Sequence, residues 1–255
     1  GSTTTFGYDA AGRLIQTIDA KGKSSFINYD NSDNIISITD ALGNTVSYTY
    51  DAFGNKLTQT DARGNTTRYT YNGNGKLISS INPLNYETRY EYDGEDRLVK
   101  VIDANGHSTS TNRDGTGKVT AVIDATGRTV ATNEYNEIGQ LTTIKDAYGI
   151  PISAYTYDSG ENILSVTNAL NHTSSMSYDQ LNRLINIADA KGQRSTYIYD
   201  GLNRLCQVSN PANGIATQTF DPIGNLISST DPNNNTTQFT YDKNGNLINT
   251  LTVSG

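Results

Sequence analysis

The sequence has no tryptophan, one cysteine, one methionine and two histidines among its 255 residues. The single cysteine, Cys206, cannot form an internal disulfide, and no cysteine or histidine spacing resembles a zinc site. No run of about 18 apolar residues is present, so we expect no transmembrane helix or membrane insertion. Two histidines and no nucleophile elbow leave little from which to build a catalytic site. We therefore expect neither enzyme activity nor a bound metal or cofactor.

Charge is also scarce, and it is not arranged as a nucleic-acid surface would need. Charged residues make up 18% of the chain, the formal net charge is -7, and lysine and arginine are scattered. The absence of a basic stripe argues against a nucleic-acid partner. Hydrophobic residues amount to only 35%, and that figure includes 17 tyrosines. We therefore expect a thin structure and no thick, close-packed core.

The chain does contain a repeat that runs from end to end. A Tyr-Asp step or a close variant recurs every 21 residues, or 22 in two units, which indicates an array of stacked supersecondary units. We expect a single array of about 12 repeats over residues 3–255, with Gly1 and Ser2 resembling a cloning scar. The steps begin at Tyr8, Tyr29, Tyr50, Tyr71, Tyr92, Arg113, Tyr135, Tyr157, Tyr178, Tyr199, Phe220 and Tyr241.

Each repeat carries an Asp-x-x-Gly pattern, or its Asn variant, at two places. Asp or Asn at the first position of a type I turn and a left-handed residue at the fourth would close a short hairpin. Only Glu161 departs at the fourth position, where the preceding Gly160 could carry the turn instead. The residues predicted to have this structural role include Asp19, Gly22, Asp40, Gly43, Asp51, Gly54, Asp61, Gly64, Asp103 and Gly106.

The segments between the turns are typical of short β-strands. One holds paired aliphatic residues, with Lys56-Leu57 as the polar outlier, and the other alternates into an aromatic pair. The predicted fold class is all-β, with antiparallel hairpin repeats of about 21 residues coiled into a spiral or hollow shell-like sheet, because wide sheets curl. The two longer repeats near Asp124 to Tyr157 would hold a bulge or a widened strand, with Pro151 where no ladder bond is donated.

These residues resemble the Rhs or YD-repeat family, known from bacterial Rhs proteins, toxin-complex shells and teneurins. The resemblance rests on Tyr-Asp-Ala-Phe-Gly-Asn-Lys-Leu from Tyr50 to Leu57, on Tyr-Asp-Gly-Leu-Asn-Arg-Leu from Tyr199 to Leu205, and on Asp61 to Tyr69. It implies a non-enzymatic segment of a β-shell that encloses or scaffolds an effector or toxin domain, covalently attached C-terminally in the parent protein. It also implies a bacterial protein that is secreted or held at the cell surface.

An extracellular carbohydrate-binding or adhesion module is the alternative, because exposed tyrosines flanked by Asn, Asp and Thr suit a sugar-binding face. Rings packed against neighbouring strands explain the same residues more simply. Uncapped terminal strands would also permit edge-to-edge self-association. The tyrosines that would stack on a glycan are Tyr48, Tyr50, Tyr69, Tyr71, Tyr90 and Tyr92.

Overall fold

A computed structural model describes residues 1–255, and all of its regular elements are β-strands. It contains no helix that could cross a bilayer. Most strands are five or six residues long, as the turn spacing predicts. The strands are β1 Ser2–Tyr8, β2 Leu14–Ile18, β3 Ser24–Tyr29, β4 Ile35–Thr39, β5 Thr45–Tyr50, β6 Lys56–Thr60, β7 Thr66–Tyr71, β8 Leu77–Ile81, β9 Glu87–Tyr92, β10 Leu98–Ile102, β11 Ser108–Arg113, β12 Val119–Ile123, β13 Thr129–Tyr135, β14 Leu141–Asp146, β15 Pro151–Tyr157, β16 Ile163–Asn168, β17 Thr173–Tyr178, β18 Leu184–Ala188, β19 Arg194–Tyr199, β20 Leu205–Ser209, β21 Ile215–Phe220, β22 Leu226–Thr230, β23 Thr236–Tyr241 and β24 Leu247–Val253.

The strands fall into two units, each of which is a run of antiparallel hairpins. One unit is Thr4–Val130, and the other comprises Gly1–Thr3 with Ala131–Gly255. Within each unit a strand pairs with the strand before it and the strand after it in the chain, as β5 does with β4 and β6. Connections this short allow only antiparallel neighbours.

The two sides of each hairpin differ in chemistry, as strand β5 illustrates. Val46, Tyr48 and Tyr50 lie on one face and are half-buried, whereas Ser47 and Thr49 lie on the other and are exposed. The period of two along a strand produces this separation. We call the two sides the tyrosine face, defined here by Tyr48 and Tyr50, and the polar face, defined by Ser47 and Thr49.

No thick core forms, in agreement with the composition. Ala188 is the one buried hydrophobic residue, at 8% exposure, and no polar or charged residue is buried. The side chains of the tyrosine face are mostly half-buried, because each packs against neighbours in its own sheet. Stability in such a layer comes from contacts between adjacent strands, not from a central interior.

The two longer repeats contain the irregularity that their length predicts. Strands β13 to β16 have seven, six, seven and six residues. The register between β14 and β15 shifts after Ile144, so that Lys145 lies opposite Pro151. Pro151 is the first residue of β15, a place that tolerates a residue without an N–H.

The edge of β24 is covered, which differs from the expectation of free terminal strands. In the unit that includes Gly1–Thr3, the start of β1 pairs with β24. β24 also pairs with β23 through Thr236↔Val253 to Tyr241↔Leu247. Its backbone groups therefore have strand partners on both sides, and the open edge on which self-association would depend is not present there.

Candidate functional site

The turns have one geometry throughout the chain. In the turn that begins at Asp51, the Gly54 N–H donates to the Asp51 carbonyl at 3.1 Å, and the Asp51 N–H donates to the Asn55 carbonyl at 3.0 Å. Gly54 has a φ of 83°, which is left-handed. The same pair of bonds closes the turns that begin at Asp19, Asp40, Asp61 and Asp103, with Gly22, Gly43, Gly64 and Gly106 as their left-handed residues.

Left-handed residues that are not glycine occupy the same turn position. Asp33, Asn182 and Asn203 have φ values of 67°, 59° and 66°. Glu161 has a φ of 67° and donates to the Asp158 carbonyl at 3.2 Å, so Glu161 itself takes the strained conformation. The expectation that Gly160 would take it is therefore wrong. The four-residue geometry of the turn fixes which residue must be left-handed, and Gly160 lies one position too early.

The turn carboxylate organises its own loop. Oδ1 of Asp51 accepts hydrogen bonds from the N–H groups of Phe53 and Asn55, each at 2.9 Å, and Oδ2 accepts from the Asn55 side chain at 2.9 Å. The bond from the Asn55 side chain is the main cause that lowers the pKa of Asp51, and backbone donors add to it against the opposing effect of desolvation. The repeated aspartates thus have a structural use within their turns.

Each Tyr-Asp step coincides with a bulge. Opposite Tyr50 the register of β5 and β6 shifts, so that Thr49 lies opposite Thr58 but Tyr50 lies opposite Lys56, and Leu57 is the extra residue. The aliphatic pair of each repeat is therefore the bulged pair of its strand, which explains why it breaks the period of two. At each bulge, the backbone carbonyl of the first residue of the bulged strand lies outside the ladder of hydrogen bonds that this strand forms with the next one.

The tyrosine of the next repeat binds that carbonyl. The ladder between β4 and β5 ends at Ser37 and Ser47, and the Tyr50 hydroxyl donates to the Ile35 carbonyl at 2.8 Å. Partial burial raises the pKa of Tyr50, and the charge of Tyr48 and Asp30 adds to the rise, so the hydroxyl remains a donor. The same bond, to the residue 15 or 16 positions earlier, is made by Tyr29, Tyr71, Tyr92, Tyr157, Tyr178, Tyr199 and Tyr241.

This contact divides the six tyrosines that were expected to stack on a glycan. Tyr50, Tyr71 and Tyr92 are tied to backbone carbonyls by their hydroxyls. Tyr90 lies with its hydroxyl 3.4 Å from the Ser80 hydroxyl. Tyr48 and Tyr69 contact the Lys56 ammonium instead, which lies 5.4 and 5.0 Å from their ring centroids. Of the six, only Tyr48 and Tyr69 are contacted through the ring and not through the hydroxyl.

Lys56 thus has a role that its outlier position in the sequence did not reveal. Its Nζ donates to the Gln59 side chain at 3.0 Å while lying over both rings, so one ammonium contacts Tyr48 and Tyr69 together. Tyr48 and Tyr69 belong to successive repeats. A cation in place of an aliphatic residue therefore links two repeats across the tyrosine face.

Arginine at the fifth turn residue links repeats in another way. Arg183 binds Asp179 of its own turn with Nε at 2.7 Å, lies 4.7 Å from the Tyr199 centroid, and donates to Asn203 Oδ1 at 2.7 Å. Arg13 makes the equivalent contacts with Asp9, Tyr29 and Asp33. The side chains of the left-handed residues Asp33 and Asn203 therefore bind an arginine, which a glycine at the same position could not do because it has no side chain.

Two grooves open on the tyrosine face beside Phe53, a residue that the sequence analysis did not single out. One, of about 560 Å³, is lined by residues including Asn55, Leu57 and Tyr69. The other, of about 450 Å³, is lined by residues including Asn34 and Tyr48. The Phe53 side chain borders both grooves and is 91% exposed. An aromatic residue at the third position of a turn, where exposure is greatest, was the signal that could have identified it.

Two protein-family models match this chain. The teneurin YD-shell model matches residues 99–253, which is more than half of the sequence, and the RHS repeat model matches residues 1–24, 29–66, 57–84 and 71–108. The chain belongs to the teneurin YD-shell family. The resemblance to YD repeats is thereby confirmed, as is the predicted fold class of antiparallel hairpin repeats in a shell-like sheet.

Solved structures of toxin-complex proteins have a similar fold. The crystal structure of TcdB2-TccC3 matches with a TM-score of 0.57 at 17% identity, over 98% of this chain and 17% of that one. The Tc holotoxin pore of Photorhabdus luminescens matches with a TM-score of 0.50 at 16% identity, over 98% of this chain and 21% of that one. This YD-shell chain thus spans about a fifth of the length of the structures that it matches. A search of curated protein sequences finds no significant match.

The family and the fold together assign the chain a structural role, as part of the wall of a β-shell. The comparisons do not favour adhesion as the role of the chain. The turn aspartates and glycines, the tyrosine hydroxyls and the arginine links all serve contacts within or between hairpins, which is the use that a wall requires.

Proposed function

We propose that this chain is a non-enzymatic wall segment that encloses or scaffolds an effector or toxin domain, covalently attached C-terminally in its parent protein. One observation carries the proposal: 98% of the chain aligns with TcdB2-TccC3 at a TM-score of 0.57. The single hairpin design that repeats through the chain is consistent with it. Membership of the YD-shell family adds support. The parent protein would be bacterial and secreted or held at the cell surface.

The mechanism is exclusion. A protease must bind an extended stretch of unpaired backbone, whereas the strands within each unit pair with neighbours through continuous ladders. Tyrosine hydroxyls extend this pairing to the carbonyl beyond each ladder, as Tyr50 does for Ile35. Arginines such as Arg183 bind across to the next repeat. These contacts keep the hairpins adjacent, which is the property that prevents a gap in a wall.

Limited proteolysis of the full-length parent protein tests this role. We expect the region that follows the YD repeats to resist trypsin in the native protein and to be cleaved rapidly after the wall has been unfolded with urea. The same region expressed alone is the matched control, and it should be cleaved rapidly without urea. Equal cleavage rates inside the parent protein and alone would contradict enclosure, as would a parent reading frame with no domain outside the repeats.

A further inference from the structure

Five Asn-Gly bonds occur in the chain, and all of them lie in turns. Asparagine followed by glycine is the dipeptide most prone to deamidation, because glycine has no side chain to hinder attack by its own backbone nitrogen. In that reaction the nitrogen bonds to the side-chain carbon of the asparagine, ammonia leaves, and water opens the succinimide ring to aspartate or isoaspartate. The asparagines of the five bonds are Asn72, Asn74, Asn105, Asn213 and Asn244.

The fold protects four of these five bonds, because the nitrogen that would attack already donates a hydrogen bond. The N–H groups of Gly75, Gly106 and Gly245 donate to the first carbonyl of their turns at 3.0, 3.0 and 3.1 Å. The Gly214 N–H donates to Asn210 Oδ1 at 2.8 Å. The nitrogen must lose its proton and turn toward the side chain in order to attack, so deamidation at these four places requires a local opening of the turn.

The bond between Asn72 and Gly73 is the exception. Gly73 is the exposed second residue of its turn, and its N–H has no hydrogen-bond partner. The Asn72 side chain meets the other requirement, because its Oδ1 accepts hydrogen bonds from the N–H groups of Asn74 and Lys76 at 3.0 and 2.9 Å. These two donors stabilise the negative charge that develops on Oδ1 when the side-chain carbon becomes tetrahedral. A free nucleophile and a polarised amide therefore meet at this bond.

Three other turns have glycine in the same place, but an aspartate precedes it. A carboxylate resists nucleophilic attack far more than an amide does, and its protonated form is the one that reacts. The hydrogen bond from the Arg97 backbone N–H is the main cause that lowers the pKa of Asp93, so this carboxylate stays ionised at neutral pH. A hydrogen bond is also the main cause of the lowered pKa at the other two aspartates. The three pairs are Asp93-Gly94, Asp114-Gly115 and Asp200-Gly201.

We propose that Asn72 is a modification site that deamidates in the folded chain, with Gly73 as the source of the attacking nitrogen. The Gly73 nitrogen gives up its proton and bonds to Cγ of Asn72, the Cγ–Nδ2 bond breaks, and Nδ2 takes up the proton and leaves as ammonia. One water then opens the ring. The reaction does not depend on the wall function.

The two products have different consequences for the turn. Aspartate in place of Asn72 gives this repeat the residue that the preceding repeat has at Asp51, whose Oδ1 accepts two backbone N–H bonds at 2.9 Å. The same two bonds become charge-assisted, which strengthens them. Isoaspartate instead adds a carbon to the main chain, and a four-residue turn has no room for it. The aspartate product therefore keeps the turn, whereas the isoaspartate product disrupts it.

Two variants separate the reaction from the fold. Gly73→Ala hinders the attacking nitrogen, and the turn tolerates it because an added Cβ meets no atom within 4 Å and Gly73 does not have a positive φ. Conversely, Asp51→Asn combined with Ala52→Gly builds an Asn-Gly bond into the preceding repeat. There the N–H groups of Phe53 and Asn55 already donate to the side chain of residue 51.

Peptide mapping by mass spectrometry, after incubation of the folded 255-residue chain at mildly alkaline pH, tests the site. Trypsin releases Asn72 and Asn74 in one peptide, Tyr69–Lys76, so fragment ions compare a free bond with a protected one directly. We expect Asn72 to deamidate about tenfold faster than each of the other four asparagines, and the rates to become similar in urea, where no turn protects them. Gly73→Ala should slow the reaction at Asn72 by about tenfold, and the double variant should add a reaction at residue 51.

Three results would overturn the proposal: no reaction at Asn72 while the urea-unfolded chain deamidates, a reaction at another of the five asparagines as fast as at Asn72 in the folded chain, or an unchanged rate in Gly73→Ala. Circular dichroism before and after incubation checks that each sample is folded. The Gly73→Ala result remains decisive even if the double variant fails to fold. Failure of this site would leave the proteolysis test of the wall untouched, so the two proposals can fail separately.

Discussion

The repeats that begin with tyrosine differ instructively from the two that do not. In the Tyr50 repeat one side chain supplies both a ring and a hydroxyl, and the hydroxyl binds the Ile35 carbonyl. At Arg113 the guanidinium takes over the hydrogen bonds, donating to the Leu98 carbonyl at 3.0 Å and to the Gly117 carbonyl at 2.8 Å. At Phe220 the ring is retained without a donor, and Arg204 stacks on it.

This comparison separates two uses of the tyrosine. The carbonyl beyond the ladder needs a donor, and an arginine can supply it. The neighbouring repeat needs a flat surface to pack against, and a phenylalanine can supply that. The turns do not vary in this way, since the turns that follow Tyr50, Arg113 and Phe220 close with the same bonds. The turn geometry is therefore the fixed part of the repeat, and the first residue is the adjustable part.

The largest single-site effect should come from the turn that all repeats share. Gly54→Val and Gly224→Val force a β-branched residue to φ values of 83° and 101°, and each should lower the free energy of unfolding by about 1 to 3 kcal/mol. Urea unfolding monitored by circular dichroism measures the loss. Gly94→Val, at a turn position without positive φ, is the control. A loss at Gly54 no greater than at Gly94 would contradict the turn assignment.

An exchange of residues tests the tyrosine and phenylalanine repeats against each other. Tyr50→Phe removes the bond to the Ile35 carbonyl and should cost about 0.5 to 1.5 kcal/mol of unfolding free energy. Phe220→Tyr places a hydroxyl where the other repeats bind the carbonyl 15 residues earlier, here that of Leu205, and should gain a smaller amount. Thermal melts of both variants and of the unsubstituted 255-residue chain give the comparison. Unchanged stability of Tyr50→Phe would show that the hydroxyl contributes nothing.

The smallest effect concerns the charge of the turn carboxylate. Hydrogen bonds from the Asn55 side chain and from backbone N–H groups lower the pKa of Asp51 in the folded chain. A carboxylate with a lowered pKa stabilises the fold above the unfolded value of about 3.9, and this contribution is lost as pH falls through the lower folded value. Asp51→Asn should therefore make stability less dependent on pH below about 4.

The reciprocal change supplies the control for this prediction. The Tyr71 repeat has Asn72 in the same place, with its Oδ1 accepting from the N–H groups of Asn74 and Lys76 at 3.0 and 2.9 Å. Asn72→Asp should add the acid dependence that Asp51→Asn removes. Melting temperatures between pH 2.5 and 6 measure both, and parallel curves for the three proteins would rule out a role for the carboxylate charge.

Much of the fold could be predicted from the sequence because local chemistry determines it. Asp and Gly at a spacing of three specify the turn, and alternation specifies the strand faces. The bulge opposite each Tyr-Asp step could not be foreseen, since paired aliphatics such as Leu14-Ile15 also fit a strand with two apolar faces. The conformation of Glu161 was also missed. Gly160 was expected to be left-handed because glycine adopts a positive φ at a lower energetic cost than glutamate does.

The contacts between repeats were less predictable than the repeats themselves. The sequence does not show which residue Tyr50 binds, because its acceptor is a backbone carbonyl 15 positions earlier. Lys56 was recognised only as an outlier, and its position between two rings depends on the register of β5, β6 and β7. The grooves beside Phe53 are lined by residues of neighbouring strands and turns, so they depend on the register between hairpins, which the sequence does not show.

Native-state hydrogen exchange measured residue by residue tests the central claim most directly, namely that one hairpin design with fixed turns is used throughout. The account predicts slow exchange along the strands and fast exchange at the exposed second turn residue, with two fast segments in every repeat of 21 or 22 residues, including the Arg113 and Phe220 repeats. Protection confined to one part of the chain, or fast segments that do not follow this period, would contradict it.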